Sequence, residues 1–376
     1  MTPLKVLYVT AHVIRGGAER HFLTLLDGVG ADWIAGVVCL DEGWVTEQLR
    51  ERGHPVEVVP TGPDARSIAR SARTLRRILH RSDAHVVHAD GVKAALVAAI
   101  ATTGSGLPLV WVKHDFSWDG WLARSVALRC DRIVAVSSAS TATFGARARR
   151  KVRVVHNGIE VGPVDRAAGR QLLEDALGGE PPSAIVGLVG RLDPKKGHRE
   201  VLAVAGALAE RFPRLRVAFI GPDDPSHRAY PTELRREVVD AGLDEIVRFL
   251  GYRDDAVTLM SGCDVLVIPS VADRAGMGRE GFPYTGLEAM AVGTPVVAYA
   301  HGGLPEMLGD CGLLVPPGDR AALGQAIESL LSEPGLHERY AERGRRRVAR
   351  FSVPAMIAAI QDCYGEVVAG RAPRAA

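Results

Sequence analysis

Two glutamates, Glu280 and Glu288, flank seven residues in the stretch EGFPYTGLEAMAVGTPVV, where a loop passes into a helix. The second is expected to open that helix, which ends near Gly293. The stretch follows the apolar run DVLVIPS, and open α/β sheets bind ligands beyond the carboxyl ends of their strands. Backbone amides at a helix start suit a phosphate, and ionised carboxylates accept hydrogen bonds from sugar hydroxyls. Taken singly, either glutamate also reads as a solvated first-turn acid that complements the helix dipole. A second stretch, GRLDPKKGH, follows the apolar run IVGLV. It places Gly190 and Arg191 at a strand end and Lys195, Lys196 and Gly197 at a helix entry. An arginine fork beside a lysine point charge suits a diphosphate whose charge rises as it leaves. Only six of the 46 basic residues are lysines, so an adjacent pair at a strand end asks for more than an ordinary basic loop. In the third stretch, HVIRGGAER, Gly16 and Gly17 precede a helix and let backbone approach a phosphate or sugar, although a tight turn explains them equally.

These loops need strands to hold them. A chain of 376 residues exceeds one small core, and at about 150 residues per domain it suggests two large ones. Hydrophobic residues at 47%, with 41 glycines and 22 prolines, suit an α/β protein with short turns. Short apolar runs alternate with amphipathic segments in two series, the pattern of parallel βαβ units. The first runs through KVLYVT, WIAGVVCL, VEVVP, AHVVHA, LVWVKH, RIVAVS and VRVVHN. The second runs through AIVGLVGRL, RVAFIG, IVRFLG, DVLVIPS, PVVAYA and GLLVPP. The expected organisation is two doubly wound parallel-sheet domains, 1–163 and 164–352, with the linker within 159–183. A terminal helix over about 353–370 is expected to pack back on one of them.

Composition removes several classes. No apolar run approaches the roughly 18 residues that cross a bilayer, and the N-terminal residues lack the features of a signal peptide. The 46 basic residues stand against 44 acidic ones, so no global field argues for nucleic acid. Five scattered cysteines form no metal-ligand pattern and fit reduced thiols, hence a cytoplasmic setting. The arginine-rich segment 66–82 could touch anionic lipid, but an ordinary helix packed on a sheet is favoured. In HDFSWDGW, Trp118 and Trp121 could stack on an acceptor or pack in a core.

The ordered set GGAE, VKHD, VVHNGIE, VGRLDPKKG, VIPS and EGFPYTGLEAMAVGTPVVAYAHGGLPE resembles the retaining glycosyltransferases of family four nearly end to end. That resemblance implies the GT-B fold, two facing Rossmann-like domains with a cleft between them. It also implies that Arg191 and Lys196 bind a donor diphosphate, Glu288 the ribose, and Glu280 the transferred sugar, helped by the Gly281 and Phe282 amides. His114 looks like the family histidine that faces the donor sugar; by itself it reads as a strand-end histidine satisfied by a backbone carbonyl. Gly16 and Gly17 would approach the diphosphate, and Tyr252 and Arg253 the base. Gly190, Pro283, Thr285 and Leu287 complete the implied donor set, with Asp115, Trp118 and Asn157 on the acceptor side. Pro283 stands where many members have glycine, and the loop VADRAGMGR is longer than in the shortest members, which bears on the shape of the sugar pocket.

The expected reaction moves a hexose or N-acetylhexosamine from a UDP-sugar, or a GDP-sugar, to a hydroxyl of a small molecule, lipid or glycan. No DxD motif occurs, and neither Asp223-Asp224 nor Asp254-Asp255 has a metal-diphosphate context, so no divalent ion and no cofactor is expected. Two other classes fit the sequence less well. A non-transferring sugar-nucleotide enzyme of the epimerase kind ranks below the transferase. A NAD-dependent oxidoreductase ranks lower still, because GxGxxG is absent.

Overall fold

A computed structural model describes residues 4–118, 120–273 and 278–370. The chain forms two compact units, one running to Gly158 and resuming at Ser352, the other spanning Ile159–Phe351. Residues 159–163, assigned by pattern to the first domain, therefore cluster with the second unit.

The first unit holds seven parallel strands: β1 Val6–Thr10, β2 Ile34–Cys39, β3 Val56–Val58, β4 Val86–Asp90, β5 Leu109–Lys113, β6 Arg132–Ala135 and β7 Val152–Val154. Their order is β3-β2-β1-β4-β5-β6-β7, so the winding reverses between β1 and β4. Strand side chains alternate between faces, and both faces here are apolar. Leu7 and Val9 of β1 join Val87, Trp111 and Ile133 beneath the helices Ala65–Arg81, Val92–Ala101 and Trp121–Arg129. Val6 and Tyr8 join Val86, Val110 and Val134 beneath the helix Gly17–Val29 on the other face.

The terminal helix Val353–Ala369 belongs to this second layer. Met356, Ile357, Ile360, Cys363 and Tyr364 are buried in it, and the Tyr364 hydroxyl lies 2.7 Å from Nδ1 of His88. In the arginine-rich helix Ala65–Arg81, Ala72, Leu75, Ile78 and Leu79 are buried against the sheet, and Arg66, Arg70, Arg73, Arg76, Arg77 and Arg81 are exposed. Trp118 and Trp121 are not core residues, being 65% and 78% exposed.

The second unit repeats the plan with β8 Ala184–Val189, β9 Leu215–Ile220, β10 Val247–Gly251, β11 Val265–Ile268, β12 Val296–Tyr299 and β13 Leu313–Val315. The order β10-β9-β8-β11-β12-β13 reverses between β8 and β11. The segment read as a linker is largely a helix, Arg166–Leu177, begun by the Asp165 carboxylate accepting from the Ala167 and Ala168 amides. Its Leu173 and Leu177 pack beneath Ile185, Ala218 and Ile220. Gly169 explains the misreading. It looks like a helix breaker, but a Cβ there would lie 2.5 Å from the Thr258 carbonyl oxygen, so glycine lets this helix approach the helix Ala256–Gly262. Among the described residues no helix is long and apolar enough to cross a membrane, and all five cysteines are buried free thiols.

A chain cut after Phe351 loses the helix that buries Met356–Tyr364 against the helix Gly17–Val29, Tyr8, His88 and β6, and opens that face of the first unit. We expect the first unit of such a chain to lose its cooperative urea transition while the second unit keeps its own, as read by tryptophan fluorescence and circular dichroism.

Candidate functional site

In the second unit, the loop after β8 is shaped by its own backbone. The Asp193 carboxylate accepts from the Lys195 amide at 2.9 Å, setting a short 3-10 turn over Pro194–Lys196. Gly197 then turns left-handed at φ +78° and starts the helix His198–Arg211. A Cβ at Gly197 would fall 1.9 Å from the Pro269 carbonyl oxygen, so only glycine lets this loop rest on the end of β11. That seating brings the Lys196 ammonium to 2.8 Å from Oε1 of Glu280. The Ser270 hydroxyl donates to the same oxygen at 2.6 Å. His301, just after β12, lies with Nε2 2.5 Å from the Ser270 carbonyl oxygen, and the Gly303 amide donates to the Glu280 carbonyl at 2.8 Å. Burial alone would raise the Glu280 carboxyl, but the Lys196 ammonium together with the Ser270 hydroxyl and His301 holds the group below its ordinary value. Glu280 is therefore an ionised carboxylate with a cation beside it.

Arg191 sits at the mouth of β8, its guanidinium 3.3 Å from the buried Asp224 carboxylate. Gly190 continues the strand, its amide bonded to the Ile220 carbonyl at 2.9 Å. The helix expected to open at Glu288 instead begins after Pro283 and spans Tyr284–Val292, closed by left-handed Gly293. Glu288 thus lies inside the helix and is 6% exposed, and the Glu280 side chain is 13% exposed, so neither is a solvated first-turn acid. Thr285 stands in the first turn of that helix, while the Phe282 and Leu287 side chains are core. Gly281 lies between Glu280 and Phe282, at the helix entry. Tyr252 and Arg253 follow the edge strand β10; the tyrosine hydroxyl donates to Asp254, and the arginine pairs with Asp255 at 2.7 Å. Of the loop VADRAGMGR, residues 274–277 lie outside the described residues.

In the first unit, Gly16 caps the helix that Gly17 begins. His114 follows β5 and is not satisfied by a backbone carbonyl. Its Nε2 lies 2.5 Å from Oδ1 of Asp90, the last residue of β4, which is wholly buried. The His21 and His12 rings meet His114 edge-on at 4.8 and 5.7 Å between centroids. His12 in turn lies 3.7 Å from Glu19. A pocket of about 170 Å³ opens here, lined among others by His12, Gly91, Lys93, His114, Asp115 and Trp118. The Asp115 carboxylate accepts from the Ser117 amide at 3.0 Å, and Trp118 adopts φ +56°. Asn157, beyond the edge strand β7, is buried.

Burial works against the His114 imidazolium, but the Asp90 carboxylate beside it wins and holds the ring above its ordinary value. Burial likewise works against ionised Asp90, and the His114 charge outweighs it and keeps the carboxyl below its ordinary value. His21 and His88 have no such partner, and burial pushes them down to about 3 and about 4.

The sequence reading missed Asp90, His12, His21, Asp224, Ser270 and His301. One available signal was position, since Asp90, Ser270 and His301 each end or closely follow a strand beside or near the winding reversal.

Comparison with known proteins bears on the family and the fold. Residues 172–347 match the family described as Glycosyl transferases group 1, and residues 15–162 match Glycosyltransferase Family 4. The chain belongs to the glycosyltransferases of family four. Among curated relatives of this chain, the D-inositol 3-phosphate glycosyltransferase of Salinispora arenicola is 32% identical over 237 residues, 60% of this chain and 51% of that protein. Its counterpart in Corynebacterium efficiens is 34% identical over 209 residues, 54% of this chain and 47% of that protein. The chain thus spans about half the length of the curated relatives it matches. Among solved structures, Anabaena HepE in complex with UDP-glucose superposes with a TM-score of 0.82, at 26% identity, over 96% of this chain and 100% of that one. The sucrose-phosphate synthase of Thermosynechococcus elongatus shares the fold, with a TM-score of 0.78 at 21% identity over 97% and 100% of the two chains. The fold is GT-B.

Acid should weaken the first unit. His21 and His88 are neutral when folded and take up protons when unfolded, so stability falls as pH drops below about 6.5. Between pH 6.5 and 4 each loses on the order of 3 kcal/mol. His114 is held above its ordinary value and so works in the opposite direction, but that contribution is already in place below about 6.5 and does not grow as the pH falls further. The urea midpoint of the first unit should fall steeply from pH 7 to pH 4; a level midpoint would contradict these assignments.

Proposed function

We propose that this glycosyltransferase moves a sugar, with retention, from a nucleoside diphosphate sugar to an acceptor hydroxyl. The observation that carries the reading is the contact between Lys196 and Glu280 at 2.8 Å, which joins motifs far apart in sequence. An ammonium for the leaving diphosphate then stands beside a carboxylate for the hydroxyls of the transferred sugar. Arg191 adds a second cation, and the amides at the entry of the helix Tyr284–Val292 add donors. Glu288 holds the ribose, and His114 of the first unit meets the donor sugar.

In this reading the acceptor oxygen bonds to the anomeric carbon from the face that the diphosphate leaves. The carbon–oxygen bond to phosphate breaks through an oxocarbenium-like centre, and the acceptor proton passes to the departing phosphate oxygen. The protein supplies charge and position, and Arg191 and Lys196 do the neutralising work without a divalent ion. UDP is the favoured nucleotide, supported by the UDP and UDP-glucose complexes of HepE at 26% identity. The name of the curated relatives, D-inositol 3-phosphate glycosyltransferase, supports trying a phosphorylated polyol as acceptor before lipid or glycan.

Calorimetry with UDP, GDP, NAD and their sugar conjugates in EDTA should give tight binding of one nucleoside diphosphate, lost in Glu288→Ala. Binding of NAD alone would overturn the reading. With donor and acceptor in hand, Lys196→Ala and Glu280→Ala should each lower kcat about 100-fold or more; near-normal turnover in both would remove their roles.

A further inference from the structure

Resting on that reading, one inference concerns a residue outside every motif above. Asp90 ends β4, its side chain has no solvent exposure, and its Oδ1 lies 2.5 Å from Nε2 of His114. We propose that Asp90 is a positioning residue for His114: it binds the Nε2 proton, fixes the ring plane, and keeps the imidazole cationic, so that Nδ1–H is presented to the sugar donor.

The geometry leaves little alternative for the ring. With Nε2 taken by Asp90, only Nδ1 remains to meet a ligand, and His114 lines the pocket of about 170 Å³. A neutral ring with its proton on Nε2 would offer a lone pair at Nδ1, whereas a cationic ring offers a donor. The groups packed around the dyad decide between them. His21 and His88 are held neutral by burial, so they add no charge against the imidazolium. Glu19 is pushed up by burial, and His12 beside it acts in the opposite direction. Asp115, next in the chain, is held below its ordinary value by its Ser117 bonds against the pull of burial and adds a negative charge near the ring. Lys113 points its ammonium at the Asp115 carbonyl, 2.6 Å away. Negative charge from Asp90 and Asp115 therefore faces His114, and Asp90 is in direct contact.

A cation here has a chemical use. It can donate to a hydroxyl or ring oxygen of the bound sugar and holds the sugar in one orientation while the anomeric carbon is exposed. Asp90 touches no substrate in this account, and its effect runs through the ring.

The test is Asp90→Asn in the full chain. Asparagine keeps an oxygen to accept from Nε2 but removes the charge, so the ring should turn neutral near neutral pH. The His114 ring, followed by NMR in ligand-free protein with carbon-labelled histidine, should titrate above its ordinary value of about 6.5 in wild type and at least tenfold more acidic in the variant. The alkaline fall of kcat should move to lower pH by the same factor. At pH 7.5 the variant should lose about tenfold or more in kcat, with the UDP dissociation constant unchanged. Wild-type His114 titrating at or below its ordinary value overturns the proposal without any variant. An unchanged ring titration or alkaline limb in folded Asp90→Asn overturns it too. Because the ring titration needs no donor, failure of the dyad is separable from failure of the transferase reading, which would appear as absent nucleotide binding with the titration intact.

Discussion

The constraint on which everything else depends is the closure of both faces of each parallel sheet. Helices cover the apolar faces, so polar groups have no place along the strands and collect where the strands end. In both units the chain winds first one way and then the other, leaving a gap between helices where the order reverses. His12 follows β1 and Asp90 ends β4, the two strands that flank the reversal in the first unit. Arg191 follows β8 and Ser270 follows β11 in the second. The candidate site groups collect at these strand ends.

Charges there are not solvated surface groups. Glu280 is ionised because Lys196, with Ser270 and His301, stands against it, and Asp90 because His114 does. Breaking the Asp90–His114 pair would leave a buried carboxylate without its partner, which costs more than the pair contributes. The two pairs differ in what a ligand could do to them. Lys196 and Glu280 each suit a different part of a sugar diphosphate, so a donor can take over both partners. Asp90 has no exposure, and only His114 reaches the pocket.

The strands were legible because fully buried parallel strands are continuous apolar runs: eleven of the thirteen fall within the runs picked out by pattern, and β4 and β9 each overrun theirs by one residue. Arg191, Lys196 and Glu280 were legible because lysine is scarce here and the motifs are dense. What stayed hidden has physical causes. Asp90 is one acid among 44, and nothing local marks it as the partner of a histidine on the next strand. The helix Arg166–Leu177 was masked by Gly169, whose job is close packing against another helix rather than a turn. Glu288 was placed at a helix start because the start was drawn too late; Pro283 precedes the first turn, as its fixed φ allows. The tryptophans at 118 and 121 could not be divided between core and surface until the helix beginning at Trp121 was seen to face its ring outward.

The return of the helix Val353–Ala369 to the first unit has a consequence for synthesis. Ribosomes deliver the chain from its N-terminus, and domains generally fold as they emerge. Here the half made first lacks one layer of its interior until the residues after Ser352 have left the exit tunnel. The half made second, Ile159–Phe351, has all its parts before then. The order of completion is thus the reverse of the order of translation, and that face of the first unit stays partly uncovered during the interval. A chaperone that shields apolar strands would find its target in the first unit, and would be released by the helix Val353–Ala369.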